Sequence, residues 1–164
     1  MKEFKGKTAV VTGAASGIGF GLAERFAQEQ MQVVLADVEE EALEKAVEKL
    51  EQVQHRVTGI CANVLVEESV QELYAKAREQ YGNIHILCNN AGIGAGGSIL
   101  AEDRSEWERT FNVCWYGVYF SCRAFMPHVI ASDEGWFVNT SSINGFWASI
   151  GPNTPHTSYC AAKF

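Results

Sequence analysis

The chain has 164 residues, 47% of them hydrophobic and 20% charged, a composition typical of a soluble globular protein. This length allows one domain with a substantial core, and we expect residues 1–164 to form a single domain. The formal net charge is −7 and the 13 Lys and Arg residues are dispersed among acids, so no nucleic-acid partner is expected.

Cysteine and histidine usage bears on redox and metal chemistry. The five cysteines form no Cys-x-x-Cys pair and most lie in apolar runs, so we predict reduced, buried thiols in a cytoplasmic protein. The four histidines form no cluster with ligand spacing, and no metal site is predicted. No apolar stretch approaches the length of a membrane span, so no membrane partner is expected.

Strand and helix patterns alternate along the chain. Continuous apolar runs, typical of strands buried on both faces of a parallel sheet, predict strands at Thr8–Val11, Val33–Ala36, Val57–Cys61, Ile84–Cys88 and Trp136–Asn139. Amphipathic stretches predict helices at Gly17–Glu29, Glu39–Gln52, Glu67–Tyr81 and about Asp103–Ile130. This alternation predicts an α/β fold, a doubly wound, Rossmann-type parallel sheet with helices on both faces. Ligands of such sheets bind at the carboxyl ends of the strands.

A glycine-rich loop with the sequence TGAASGIG joins the first strand to the first helix over Thr12–Gly19. Gly13 permits a tight turn, Gly17 lets backbone N–H groups approach phosphates, and Gly19 leaves room where helix and strand pack. The helix N-terminus adds positive potential for a pyrophosphate. The loop therefore predicts a dinucleotide site rather than a turn without a ligand.

Asp37 ends the second predicted strand, where a carboxylate can accept hydrogen bonds from the adenosine ribose and would repel a 2′-phosphate. Val38 and Ser16 occupy the places where a basic residue would favour NADP. NAD is therefore the predicted cofactor, with NADP the less favoured alternative. Asn63 and Val64 follow the third strand, and the Asn63 amide can hydrogen-bond the adenine edge.

Tyr159 and Lys163 are spaced i and i+4, which puts them on one face of a helix. A cation beside a phenol stabilises the phenolate, so the tyrosine can exchange a proton with a substrate hydroxyl while hydride moves to or from a nicotinamide. Tyr-x-x-x-Lys is common by chance. Its position after a fifth predicted parallel strand, with a glycine loop upstream, makes the motif an indication of a catalytic pair here.

The motifs in this order resemble the short-chain dehydrogenase/reductase family. They are the TGAASGIG loop, Asp37, the NNAG sequence at Asn89–Gly92, Asn112, Ser142, Tyr159 and Lys163. The resemblance implies an oxidoreductase that interconverts secondary alcohols and ketones, with Tyr159 as acid/base beside Lys163. It assigns Asn112 to a water-linked proton relay to the lysine, and Ser142 to a hydrogen bond with the substrate oxygen.

The resemblance also implies a set of cofactor contacts. These are Gly13, Ser16, Gly17, Ile18, Gly19, Asp37, Asn63, Val64, Asn90, Ala91, Gly92, Tyr159 and Lys163. Two assignments have alternatives. Ser141 competes with Ser142, because the spacing to Tyr159 is longer than usual in the family, and Asn112 is equally well explained as a satisfied structural amide.

Family members continue well beyond the Tyr-x-x-x-Lys helix, whereas this sequence ends at Phe164. We therefore expect a family fold without its C-terminal strands, and we keep a non-catalytic dinucleotide-binding or oligomerisation module as the alternative function. The family uses the aromatic-rich Asp103–Ile130 helix in subunit contacts, which implies a homo-oligomer, a dimer or tetramer. Phe146, Trp147 and Ile150 suggest an apolar wall for a hydrophobic substrate, with core packing or a subunit contact as equal alternatives.

Overall fold

Within the described residues, five strands form one parallel sheet: β1 (Thr8–Thr12), β2 (Gln32–Asp37), β3 (Val57–Cys61), β4 (Ile86–Asn89) and β5 (Trp136–Asn139). The computed structural model of the chain describes residues 1–94, 98–100, 103–131, 134–147 and 156–164. The order across the sheet is β3-β2-β1-β4-β5, and all neighbouring strands are parallel. The doubly wound topology predicted from the alternating pattern is confirmed.

The helices follow the strands in the predicted order. They are α1 (Gly17–Gln28), α2 (Glu40–Glu51), α3 (Glu67–Tyr81), α4 (Arg104–Phe111), α5 (Gly117–Ala131) and α6 (Thr157–Lys163). The single helix expected from Asp103 to Ile130 is interrupted by a π-helical turn at Asn112–Tyr116, which joins α4 to α5. A short 3₁₀ turn, Ile143–Gly145, lies between β5 and α6.

Helices pack against both faces of the sheet. Alternate side chains of each strand point to opposite sides, so neighbouring residues of one strand belong to different clusters. Ala9, Val11, Val33 and Leu35 pack in one buried cluster with residues of α1 and α2. Their neighbours in sequence pack in a second cluster with α3 and α5, which includes Val10, Val34, Val70, Leu73 and Phe125. Burial on both faces explains why β1, β2 and β4 are continuous apolar runs. The two edge strands depart from this expectation, because β3 is only partly buried and β5 has no buried residue.

The cysteines correct one expectation from the sequence. Cys88 and Cys114 are buried, but Cys61 is exposed and Cys122 and Cys160 are half-buried. Cys61 ends β3, which lies at the sheet edge, so apolar neighbours in sequence do not guarantee burial there. No helix in the described part of the chain has the length and hydrophobicity required to cross a membrane.

Candidate active site and cofactor cleft

A cavity of about 650 Å³ lies at the carboxyl ends of the strands. Its volume is in the range of small-molecule and cofactor sites. Twelve of the thirteen predicted cofactor contacts line it: Gly13, Ser16, Gly17, Ile18, Asp37, Asn63, Val64, Asn90, Ala91, Gly92, Tyr159 and Lys163. Only Gly19 lies outside the lining, so the structure brings together residues that are far apart in sequence.

The glycine loop is packed so closely that two of its positions exclude a side chain. Gly13 has a φ of +64°, and a Cβ there would lie 2.8 Å from the Cα of Ala91. A Cβ on Gly19 would lie 2.0 Å from the Gly13 carbonyl oxygen. Gly19 therefore packs against the Gly13 backbone and does not line the cavity. With α1 starting at Gly17, the loop fits the predicted pyrophosphate site.

Asp37 joins the end of β2 to the glycine loop. One carboxylate oxygen, Oδ2, accepts the Ala15 N–H at 2.9 Å. The other, Oδ1, accepts the N–H groups of Val38 at 2.8 Å and Glu39 at 3.2 Å. Both following residues line the cavity, so a 2′-phosphate placed here would meet two carboxylates, those of Asp37 and Glu39. The sequence analysis did not single out Glu39 as a residue of this cavity.

Asn90 joins the end of β4 to the same loop. Its Nδ2 donates to the carbonyl oxygens of Thr12 and Gly13, both at 3.2 Å. The backbone N–H groups of Asn90 and Ala91 donate to the Thr12 hydroxyl at 3.1 Å each. Asn90 therefore connects the end of β4 to the end of β1 and the start of the glycine loop.

Tyr159 and Lys163 meet at the cavity wall on α6. The Lys163 Nζ lies 5.7 Å from the centre of the Tyr159 ring and donates to the Thr140 carbonyl oxygen at 2.8 Å. Lys163 is only 7% exposed. Its ammonium group is therefore fixed by β5 and held close to the phenol, as the i, i+4 spacing predicts.

The two serines after β5 have different partners. The Ser141 hydroxyl donates to the backbone carbonyl of Lys163 at 2.8 Å, which fastens the loop to α6. The Ser142 hydroxyl accepts the Asn144 N–H at 3.2 Å, a contact that does not use its own proton. The Ser142 hydroxyl therefore does not use its proton for this contact, but neither serine is among the described residues that line the cavity, and the substrate contact of Ser142 stays a prediction.

The family model described as short chain dehydrogenase matches residues 7–164. The chain belongs to the short-chain dehydrogenase/reductase family. Among relatives, it is 34% identical to meso-2,3-butanediol dehydrogenase of Serratia marcescens, covering 98% of this chain and 61% of that protein. It is 33% identical to 3-oxoacyl-[acyl-carrier-protein] reductase FabG of Thermotoga maritima, covering 98% of this chain and 64% of that protein.

A solved structure agrees with the family assignment. The short-chain dehydrogenase/reductase of Burkholderia phymatum, crystallised in complex with NAD, is 38% identical and superposes with a TM-score of 0.92. The match covers 99% of this chain and 57% of the Burkholderia chain. The present chain therefore spans about three fifths of the length of these three proteins.

The π turn brings Cys114, a residue that the sequence analysis did not name, close to Gly92, whereas the water-linked relay from Asn112 to Lys163 implied by the family resemblance stays a prediction. Asn112 is half-buried at the start of the π turn and is not among the described residues that line the cavity. The Cys114 Sγ contacts the Ile93 carbonyl oxygen at 3.5 Å. A Cβ built on Gly92 would lie 3.6 Å from that sulfur and 3.4 Å from the Lys163 Nζ. The π turn rotates the side chains that follow it, which a 3.6-residue period does not anticipate.

Arg109 is a second residue of this helix that sequence reasoning missed. It lines the cavity together with Val113, one turn further along. The Arg109 Nη1 lies 3.7 Å from the Glu106 Oε2, an ion pair within one turn of α4. A charged residue on an amphipathic helix is usually part of the solvent face, so its sequence position alone carried no signal.

Proposed function

We propose that this protein is an NAD-dependent oxidoreductase that interconverts a secondary alcohol and a ketone. The observation that carries the proposal is the approach of Tyr159 to Lys163 in the same cavity that the glycine loop and Asp37 line. A phenol beside a fixed ammonium group is suited to proton exchange with a substrate oxygen.

Each residue has a defined task in the proposed reaction. When bound, the nicotinamide supplies hydride acceptance or donation, and the protein handles the proton. In the oxidative direction the Tyr159 phenolate takes the hydroxyl proton of the alcohol, and in reduction the phenol returns a proton to the ketone oxygen. Lys163 favours the phenolate, and Ser142 donates a hydrogen bond to the substrate oxygen.

NAD is the proposed cofactor. The acids Asp37 and Glu39 line the part of the cavity at the end of β2, and Val38 between them is apolar. Both carboxylates disfavour the added charge of a 2′-phosphate. The NAD complex of the Burkholderia phymatum relative is consistent with this preference.

The substrate is proposed to be a hydrophobic alcohol or ketone. Phe146 and Trp147 follow the 3₁₀ turn after Ser142 and are 81% and 66% exposed among the described residues, which favours a surface role over packing in the core of this part of the fold. Ile150 lies outside the described residues. Two exposed aromatic rings so near the serine suit an apolar substrate wall, and a subunit contact is the competing use.

The proposed partner, besides the small-molecule substrate, is a second copy of the chain. Stacked rings run along the outer face of α4, the π turn and α5: Trp107 on Phe111, Phe111 on Trp115, and Trp115 on Tyr119. Trp115 and Tyr119 are 44% and 43% exposed. Aromatic rings are enriched at protein interfaces, so this surface suits self-association, which light scattering of the protein in solution would measure. The cytoplasm is its proposed location.

The proposed chemistry is tested by following NADH formation with a panel of secondary alcohols. We expect turnover by the wild type, and a fall in kcat of about 10²- to 10⁴-fold in Tyr159→Phe with NAD binding retained. Tyr81→Phe is the matched control, because its hydroxyl contacts Thr58 on β3 rather than the cavity. NAD binding without turnover in the wild type, or equal turnover in Tyr159→Phe, would reject the enzymatic role.

A further inference from the structure

Thr140, the first residue after β5, contacts both Asn90, which binds the glycine loop, and Lys163 on α6. We propose that Thr140 is a positioning residue that couples dinucleotide binding at the glycine loop to the placement of Lys163. The inference rests on the proposed function, because it assigns Thr140 a part in arranging that same site.

The first half of the coupling is the contact with Lys163. The Thr140 carbonyl oxygen accepts the Lys163 ammonium at 2.8 Å. The Thr140 N–H in turn donates to the Asn89 carbonyl at 2.9 Å, which extends the β4–β5 ladder by one residue. The carbonyl that holds the ammonium group is thus itself held by the sheet, and its position determines where the ammonium group lies.

The second half is the contact with the glycine loop through Asn90. The Thr140 hydroxyl donates to the Asn90 Oδ1 at 3.2 Å. The opposite end of that amide donates to the carbonyls of Thr12 and Gly13. The Thr140 hydroxyl therefore orients the Asn90 amide, with its oxygen toward β5 and its nitrogen toward the loop.

The tight packing around Asn90 makes this orientation consequential. A Cβ on Gly19 would lie 2.6 Å from the Asn90 Nδ2, so the amide nitrogen rests against the start of α1. Removal of the Thr140 hydroxyl leaves the Asn90 oxygen without this donor, and a rotated amide would lose its contacts with the loop. Thr140 thus reaches the glycine loop indirectly, through its hydroxyl and the Asn90 amide, and contacts Lys163 directly through its backbone carbonyl.

The test compares Thr140→Val with Thr140→Ser in the full protein. We expect Thr140→Val to raise the Kd and KM for NAD about 3- to 10-fold, the range for loss of one neutral hydrogen bond. Its kcat should also fall, with a displaced pH profile. Thr140→Ser keeps a hydroxyl and should show the wild-type Kd and KM for NAD and the wild-type kcat. Thr58→Val is the matched control, because the Thr58 hydroxyl contacts Tyr81 at 2.7 Å, away from the cavity.

A second readout needs no turnover. NAD should change the rate at which an amine-reactive reagent labels Lys163, measured by mass spectrometry, and Thr140→Val should weaken that change. An unchanged Kd for NAD and unchanged labelling in Thr140→Val, or the same effects in Thr58→Val, would overturn the inference. If the wild type binds NAD and oxidises no alcohol, the proposed function fails, whereas the Kd and labelling comparison still decides the coupling.

Discussion

The carboxylate of Asp37 binds backbone groups and is also proposed to bind the cofactor. Three backbone N–H groups, those of Ala15, Val38 and Glu39, donate to its two oxygens. A carboxylate has about four lone-pair sites, so it retains acceptor capacity toward the cavity. The contacts with the backbone N–H groups and the proposed ribose contact are therefore compatible.

Asp37→Asn should weaken NAD binding and relax the discrimination against NADP. The amide loses the negative charge and one of the two accepting oxygens, so we expect the Kd for NAD to rise about 10-fold. The ratio of the Kd for NADP to that for NAD should fall. Isothermal titration with both dinucleotides measures this ratio, with the exposed Asp103→Asn as control. An unchanged ratio would mean that Asp37 does not select the cofactor.

At the scale of elements, two of the three glycines of α1, Gly19 and Gly21, differ in how much room surrounds them. Gly19 faces the Gly13 carbonyl so closely that no side chain fits, whereas nothing lies within 4 Å of a Cβ on Gly21. The sequence contains both glycines in the same helix start, and their spacing alone does not show which one is indispensable. The packing of the loop against α1 makes that distinction.

Alanine substitutions in α1 should therefore have opposite effects. Gly19→Ala is expected to lower the free energy of unfolding by about 1–3 kcal/mol through overpacking, and to abolish NAD binding. Gly21→Ala should raise it by about 0.5–1 kcal/mol, since alanine is the better helix former. Urea unfolding and NAD titration of both variants check this pair. Equal destabilisation by the two substitutions would contradict the packing argument.

The strands and helices themselves were largely predictable. The bounds of β3, β5 and α3 agree with the pattern, whereas β1 differs by one residue at its end and β2 and β4 differ by one or two residues at both ends. The π turn between α4 and α5 was not predictable, because hydrophobic periodicity averages over several turns and does not register one inserted residue. That turn begins at Asn112, the residue that the family resemblance assigns to the proton relay with Lys163.

At the scale of the whole molecule, His85 links the amino-terminal ends of two neighbouring strands, β1 and β4. The Thr8 N–H at the start of β1 donates to the His85 Nδ1 at 3.0 Å, across the gap to the residue before β4. This bond requires an unprotonated Nδ1. Burial lowers the pKa of His85 below its usual 6.5, the Lys7 charge lowers it further, and Glu134 opposes both.

Acidification should therefore weaken the fold at this histidine. Above pH 6.5 both folded and unfolded chains carry neutral His85. As the pH falls below 6.5, His85 of the unfolded chain binds a proton first, so the free energy of unfolding decreases with pH. This decrease stops once the pH is below the lower pKa of the folded state, where both states are protonated. His85→Asn keeps an acceptor and should reduce this pH dependence, measured by urea unfolding at several pH values.

The control for the histidine prediction is His55→Asn. His55 is exposed in the segment before β3. The His55 variant should retain the wild-type loss of stability on acidification. Equal pH dependence in the wild type and His85→Asn would show that His85 does not contribute.

The sequence by itself determined the order of strands and helices, the glycine loop and the Tyr159–Lys163 pair, because each depends on side chains close together in the chain. Only the tertiary structure decided which groups meet in the cavity. Asn90 reaches Thr12 across 78 positions, and Lys163 reaches Thr140 across 23. Such contacts depend on how parallel strands align at the sheet edge, and on the π turn that reorients a helix face, neither of which local periodicity specifies.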